Sequence, residues 1–592
     1  MDLTARLRED GEIITERLGR WAATAGDRSF FHYGEDGVTL TYAEFARRTD
    51  AIAGQLAANG VAKGDRVSVF CANPLVSALV MFGTWKAGAL YCPVNFAFTG
   101  RLLAYQLADT APRLIVTEPR LLPGLNAVAA SLPGQPTVIV YDAPPGAHEY
   151  MAEREASALP EIAWAALTAE ASAPHIDVSF DDPASIVYTS GTTGPAKGVV
   201  QPYRWMAQYT YALRAVLTPD DVIYNDLPMY HVGGAIANVV RAAWAGCEVA
   251  VWDRFSPGAF WDRIGSRRAT AAILLDVMIP WLVKAPERAD DRRNTLNKVH
   301  MQPLPRHHAQ VARRFGFDFV SAGFGQTESG APLSGLIEET ADGEGTPADL
   351  YRGLSHAELR AVSARKEIPM LPGGAVARKG FMGLPSPFVE AAVLSEHDEE
   401  CLAEEPGQLA FRPRLPALFL TEYLGKPQAT VAAVRNLWFH TGDAAFRGSD
   451  GYFYFVDRLG DRIRVRGENL SSFQVEDLLG QHPDIRLCAV FPIRGAEGDE
   501  DDIVAFVVPD GTALGEAAVH AYAAQTMPRY MRPAHIRIVA DIPCTPTSKV
   551  EKYKLRAHIL AELGQTAAPA DRPALVTAMT QVTVDDEDGR QS

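Results

Sequence analysis

The stretch Tyr188–Val200 reads YTSGTTGPAKGVV, with three glycines, four aliphatic hydroxyls and one lysine set between apolar runs. Glycines let a backbone come close to phosphate oxygens, hydroxyls donate hydrogen bonds to them, and Lys197 adds a positive charge. A β-like run, Ser185–Tyr188, precedes the loop and places it at a strand end, where ligands approach open α/β sheets. A Walker loop needs GxxxxGK followed by Ser or Thr. Here Ala196 precedes the lysine and Gly198 follows it, so a P-loop kinase or GTPase is excluded. The residue types point to phosphate chemistry of another kind.

The elements that must position this loop show in the hydrophobic patterning. Helix-like YAEFARRTDAIAGQLAANG alternates with short β-rich runs, DRVSVFCA and RLIVTE, and similar runs return as PTVIVYD, SIVYTS, DVIYNDLP, EVAVWD and AAILLD. Such alternation predicts an α/β sheet with helices on its faces, extending to about residue 457. From residue 458 the composition shifts to a compact α+β unit, expected over 462–563 after a hinge at 458–461. Residues 564–592, rich in Ala, Pro and Thr and ending DDEDGRQS, read as a disordered tail. The polar segment Glu338–Gly374 carries one helical stretch, SHAELRAVSARKE. It is expected as a surface excursion, or else as a lid or pocket wall.

Composition narrows the function classes. At 592 residues the chain needs more than one core. A net charge of -16 argues against nucleic acid or an anionic membrane as the main partner. The six cysteines are scattered with no CxxC pair, which fits a reducing cytoplasm and neither a disulfide framework nor a zinc site. The N-terminus has no apolar signal-peptide core, and the longest apolar stretch, Leu75–Trp85, is too short to span a bilayer. A cytoplasmic chain without stable membrane insertion, monomeric or homodimeric, is expected.

Seven stretches in order resemble the motifs of the acyl-adenylate-forming superfamily, which comprises acyl-CoA synthetases, adenylation domains and firefly-type luciferases. They are LTYAEF (40–45), GVAKGDRVSVFCAN (60–73), LPMYHVGG (227–234), GFGQTES (323–329), WFHTGD (438–443), VDRLGDRIRVRGENLSSFQVEDL (456–478) and PCTPTSKVEKYKLR (543–556), beside the opening loop. RGENLS and TPTSKVEKYKLR look most like the carnitine/crotonobetaine and fatty-acid-transport types of acyl-CoA ligase. The resemblance implies a large, multi-subdomain N-terminal adenylate-forming domain and a small, mobile α+β C-terminal domain.

It also implies roles. Thr189, Ser190, Gly191, Thr192, Thr193, Gly194 and Lys197 would hold the β- and γ-phosphates of ATP. Thr327 would bind the α-phosphate, Glu328 would hold Mg2+, and Phe324 would lie against adenine. Asp443 and Arg458 would bind the ribose, and Lys549 would bridge the carboxylate and α-phosphate during adenylation, in which the carboxylate attacks phosphorus and pyrophosphate leaves. Rotation about a hinge at Gly460 would then bring Gly467, Glu468 and Asn469 against the pantetheine of coenzyme A. His231, Val277 and Met278 would line the acyl pocket, and the small Gly233, Gly234, Ala322 and Gly323 would leave room there for a hydrophobic acid, including a bulky or polycyclic one.

Three positions depart from the family pattern. Gly460 replaces a charged hinge residue, Ser548 replaces a glycine before the lysine, and His300, Met301 and Gln302 stand where small residues usually face adenine. Bulk at 300–302 is either repacked or crowds the nucleotide. In the second case the chain would mainly thioesterify a preformed acyl-adenylate (acyl-AMP). An acyl-AMP ligase loading a separate carrier protein and a nucleotide-binding pseudoenzyme also stand beside the leading expectation, a ligase dependent on ATP, Mg2+ and CoA.

Overall fold

The computed structural model describes residues 2–189, 196–275, 278–376, 378, 380–458, 462–465, 468–495, 501–511, 514–527, 529–544 and 550–564. They form two compact units, a large one reaching residue 462 and a small one beginning at 463. The fold is mixed α/β, with a large N-terminal and a small C-terminal domain.

Two sheets organise the large unit. In the first, strands Glu248–Val251, Val222–Asn225, Ala271–Leu275, Lys298–Gln302 and Phe319–Gln326 lie side by side in parallel; the chain then turns back through Gly330–Glu338 into an antiparallel region. In the second, Leu90–Pro93, Arg66–Phe70, Leu114–Thr117 and Thr137–Val140 are parallel, and the hairpin of Pro183–Thr189 with Lys197–Pro202 extends one side. Each β-rich run of the sequence is one of these strands. Parallel strands covered on both faces need near-continuous apolar runs, which is how they read.

The helices start where their caps dictate. Thr41 and Glu44 form a reciprocal capping box at the head of Tyr42–Ala58. Asn73 accepts from the amides of Leu75 and Val76 at the head of Pro74–Lys86, with proline at the first position. That second helix is apolar around most of its circumference because it is buried on nearly every side. No helix among the described residues is long and apolar enough to cross a membrane.

The N-terminal segment is tied to distant elements by charge. Arg204, 2% exposed, pairs with Glu12 at 2.8 Å, Arg214 with Asp10 at 3.3 Å, and Lys366 with Glu9 at 2.5 Å. Lys366 ends helix His356–Lys366 of the polar 338–374 segment. That helix is part of the packed body: Leu359 is fully buried, and His356 lies between Glu338 (2.6 Å) and Asp318 (3.1 Å). The surface-excursion expectation missed this because the helix shows almost no amphipathic periodicity; polar partners anchor it as much as apolar ones.

In the small unit, strand Ile485–Arg494 pairs antiparallel with Asp501–Pro509, which runs parallel to His535–Ile538. Alternation along the central strand builds two cores. Ile503, Ala505 and Val507 pack with Val475, Leu479, Val519 and Ala523, while Val504, Phe506 and Val508 pack with Leu555 and Ile559 of the last helix.

Candidate active site

On either side of the glycine-rich loop, Thr189 and Lys197 pair across two antiparallel strands; Ser190, Gly191, Thr192, Thr193 and Gly194 lie outside the described residues. Both stems are anchored. Tyr188 donates to Asp109 (2.7 Å) at the end of helix Gly100–Thr110, and Lys426 pairs with the same carboxylate at 3.0 Å. Tyr105 donates to the carbonyl of Ala196 at 2.8 Å. Burial, with Asp109 beside it, pushes the Tyr188 phenol well above its usual range. A half-buried carboxylate shared by a phenol and an ammonium, together with Tyr105, ties the two stems to the helix Gly100–Thr110.

A two-residue strand, Glu422–Tyr423, adds to the edge of Lys197–Pro202, placing Tyr423 opposite Val199. Its ring lies 4.1 Å from Lys197 Nζ, a cation–π distance, and its hydroxyl donates to Glu328 Oε1 at 3.0 Å. Burial and the Glu328 carboxylate together raise the Tyr423 phenol far above its ordinary value. Lys197, Tyr423 and Glu328 therefore form one continuous array. Tyr423 was not singled out from sequence, because a two-residue strand has no periodicity to announce it.

Thr327 and Glu328 follow strand Phe319–Gln326, and both are buried. Their carbonyls are used structurally: Thr327 O accepts from Gln201 Nε2 (2.9 Å) and Glu328 O from the Leu420 amide (2.8 Å). Gly330 turns the chain with φ +71°, and a Cβ there would meet Gln208 Oε1 at 2.1 Å, so glycine is required. Phe324 packs against Phe411 at 5.5 Å between centroids. Gln326 Nε2 donates to Thr441 O at 3.2 Å, and Thr441 Oγ1 accepts from the amide of Asp443 at 3.0 Å. Asp443, buried, lies opposite Arg458 across adjacent strands. The Thr-Glu and Thr-Gly-Asp motifs are thus joined by a direct hydrogen bond.

The three bulky residues at 300–302 divide between faces. Met301 is fully buried in the apolar core on one side of the sheet. His300 bonds Ser321 Oγ (3.0 Å) and Gln302 Oε1 (3.1 Å) on the other. Burial holds the His300 imidazole down to about 4, so it is neutral at pH 7.

The chain matches the family of AMP-binding enzymes over residues 18–415, and that family's C-terminal domain over 474–549. The chain belongs to the AMP-binding enzyme family. A crotonobetaine/carnitine–CoA ligase of Salmonella agona is 27% identical over 92% of this chain and 99% of its own length. ATP-bound MatB from Rhodopseudomonas palustris shares the fold with a TM-score of 0.72 at 22% identity, covering 92% of this chain and 98% of its own. A benzoate CoA ligase from Burkholderia xenovorans LB400 does so with a TM-score of 0.73 at 19% identity, over 92% and 99%. As an AMP-binding enzyme of this type the chain is an AMP-forming acid–thiol ligase, working through an acyl-adenylate with ATP, Mg2+ and coenzyme A.

In this AMP-binding enzyme His231 caps the helical segment Val232–Ala245, accepting from the amide of Gly233 at 3.1 Å. A Cβ at Gly234 would stand 2.4 Å from the carbonyl oxygen of Leu227, so its small size serves a backbone approach. A Cβ at Gly323 would meet Leu333 O at 2.5 Å, and Ala322 and Met278 are packed in the apolar core. Val277 lies outside the described residues. The helical segment contains a π-helical stretch, Ala235–Val240, and carries Asn238 and Arg241, both buried, which the sequence reading did not select.

In the C-terminal domain Lys552 Nζ bonds Ser472 Oγ at 2.8 Å and Glu476 at 3.0 Å, tying the last helix to Ser472–Leu479. Gly460, Gly467 and Lys549 lie outside the described residues. Arg458 sits at the end of strand Phe453–Arg458, and Glu468 and Asn469 begin strand Glu468–Ser471.

Proposed function

We propose that this ligase activates a carboxylic acid with a largely hydrophobic body and passes the acyl group to coenzyme A, using the residues assigned from the motifs. The observation that carries the reading is the Lys197–Tyr423–Glu328 array, which joins the phosphate-loop lysine to the acidic residue of the Thr-Glu motif. A buried carboxylate on the residue next to Thr327 suits a hard divalent cation, so Glu328 would hold Mg2+ and Thr327 an α-phosphate oxygen. Mg2+ would supply charge neutralisation during displacement of pyrophosphate. Thr189 and Lys197, with Ser190–Gly194, would hold the outer phosphates; Phe324 would face adenine, and Asp443 with Arg458 the ribose. Lys549 would serve adenylation, and Gly460 and Gly467–Asn469 the turn to thioesterification. His231 and Gly233 would border the acyl group.

The placement of 300–302 supports complete adenylation. Met301 points into the core, and His300 and Gln302 are engaged with each other and with Ser321. ATP–pyrophosphate exchange, with acyl-CoA followed by mass spectrometry over a panel of acids, tests the proposal. Exchange together with CoA thioester formation is expected. Thioester formed only from synthetic acyl-adenylates, acyl transfer only to a carrier protein, or binding without turnover would each replace it.

A further inference from the structure

Three buried arginines stand on neighbouring helices of the large unit, and two of them have carboxylate partners, Arg204 with Glu12 and Arg214 with Asp10. The third, Arg241, is 3% exposed and has none among the described residues. Its Nη2 donates to Asn238 Oδ1 at 3.0 Å, and its Nε has no hydrogen-bond partner there. Asn238 Nδ2 donates in turn to Asn225 Oδ1 at 2.8 Å, an oxygen that also accepts from the Leu227 amide at 3.2 Å. That backbone donor fixes the orientation of both amides. Both side-chain acceptors of the trio are engaged, and what remains is donors: Arg241 Nε and Asn225 Nδ2, both buried and unpaired among the described residues.

Asp221 is held by Lys298 at 2.8 Å and by Thr270 at 2.7 Å. Burial raises the Asp226 carboxyl to about 6; its Oδ2 is buried without a hydrogen-bond partner among the described residues, and neither carboxylate pairs with Arg241 there. A buried guanidinium without a paired carboxylate is costly, and an arriving acceptor would satisfy the unpaired donors.

The cluster adjoins the candidate active site. Arg241 is close enough for its charge to act on His300 and on Tyr209. A Cβ on Gly325, two residues before Thr327, would lie 3.7 Å from the Tyr209 ring and 4.0 Å from the Gln302 amide, and Gln302 bonds His300. These contacts reach from Thr327, the proposed α-phosphate ligand, to His300, and Arg241 stands on the helical segment that His231 caps.

We propose that Arg241, backed by Asn238 and Asn225, receives a second carboxylate at the far end of the substrate, so that the acid activated here is a dicarboxylate with an apolar middle. This rests on the ligase reading above and narrows it. A guanidinium in a dry site pairs bidentately with a carboxylate and rejects a cation at the same place.

The test uses the full chain with ATP, Mg2+ and CoA, reading AMP release and acyl-CoA by mass spectrometry. The acids are the pairs hexanoate and adipate, and benzoate and terephthalate, with crotonobetaine as the acid bearing a distal cation. In at least one pair the diacid should exceed its monoacid in kcat/KM by about 30-fold or more, and crotonobetaine should be the poorest acid. Arg241→Gln should lower the diacid-to-monoacid ratio by a similar factor, mainly through KM, and Arg241→Lys should restore part of it. Monoacids preferred in both pairs, or a ratio that the substitution does not move, would overturn the assignment. Heat protection of the unmodified chain by adipate or terephthalate, beyond that by the monoacids, reads the same preference without a variant; equal protection also overturns it. AMP release with monoacids alone leaves the ligase standing and removes the Arg241 assignment, whereas no AMP release with any acid removes the ligase reading itself.

Discussion

Tyr423 concentrates the electrostatics of the candidate site in one ring, its face under Lys197 and its hydroxyl on Glu328. Tyr423→Phe keeps the cation–π contact and removes a hydrogen bond to a buried carboxylate, an interaction to a charged group. ATP–pyrophosphate exchange should fall about tenfold with little loss of fold. His300 offers a pH test. Its folded pKa, about 4, lies below the ordinary histidine value, so the fold favours the neutral ring. The stability this contributes is complete above about pH 6.5 and is lost as pH falls toward 4. His300→Asn should therefore show a smaller drop in Tm between pH 7 and pH 5 than the unsubstituted chain. His32, depressed likewise by burial, remains in both and cancels.

Elements differ in how openly they declare themselves. The parallel strands were legible because buried strands must be apolar and short, and the capped helices because Thr41, Glu44 and Asn73 stand where helix ends need acceptors. The strand Glu422–Tyr423 was not, since its only signal is pairing with a strand more than 200 positions away. Nor was the polar cluster of Asn225, Asn238 and Arg241: a helix that looked apolar with few charges gives no sign that its single arginine points inward. Gly233 and Gly234 read as pocket space, yet at Gly234 the space belongs to the Leu227 carbonyl. Gly234→Ala should destabilise the fold by about 1–3 kcal/mol, measurable by chemical denaturation, and should weaken activity through the displaced His231.

The whole molecule is held partly by charges that the first residues bring to distant helices. Glu12→Gln leaves the Arg204 guanidinium, stacked 3.4 Å from the Phe180 ring centroid, without its buried carboxylate. A loss of about 3 kcal/mol in the unfolding free energy of the large unit is expected, read from urea denaturation. Substituting both members, Glu12 and Arg204, by apolar residues should cost less than removing Glu12 alone.

The pairing of Glu9 with Lys366 spans 357 positions of sequence. During synthesis Glu9 emerges from the ribosome roughly 20–70 s before its lysine, at about 5–20 residues per second. Within that interval Glu12 waits for Arg204, Asp10 for Arg214, and Arg17 for the carbonyl of Trp244. The first residues of this chain are thus secured in stages, each acidic side chain gaining its partner only as the helix that carries it is translated.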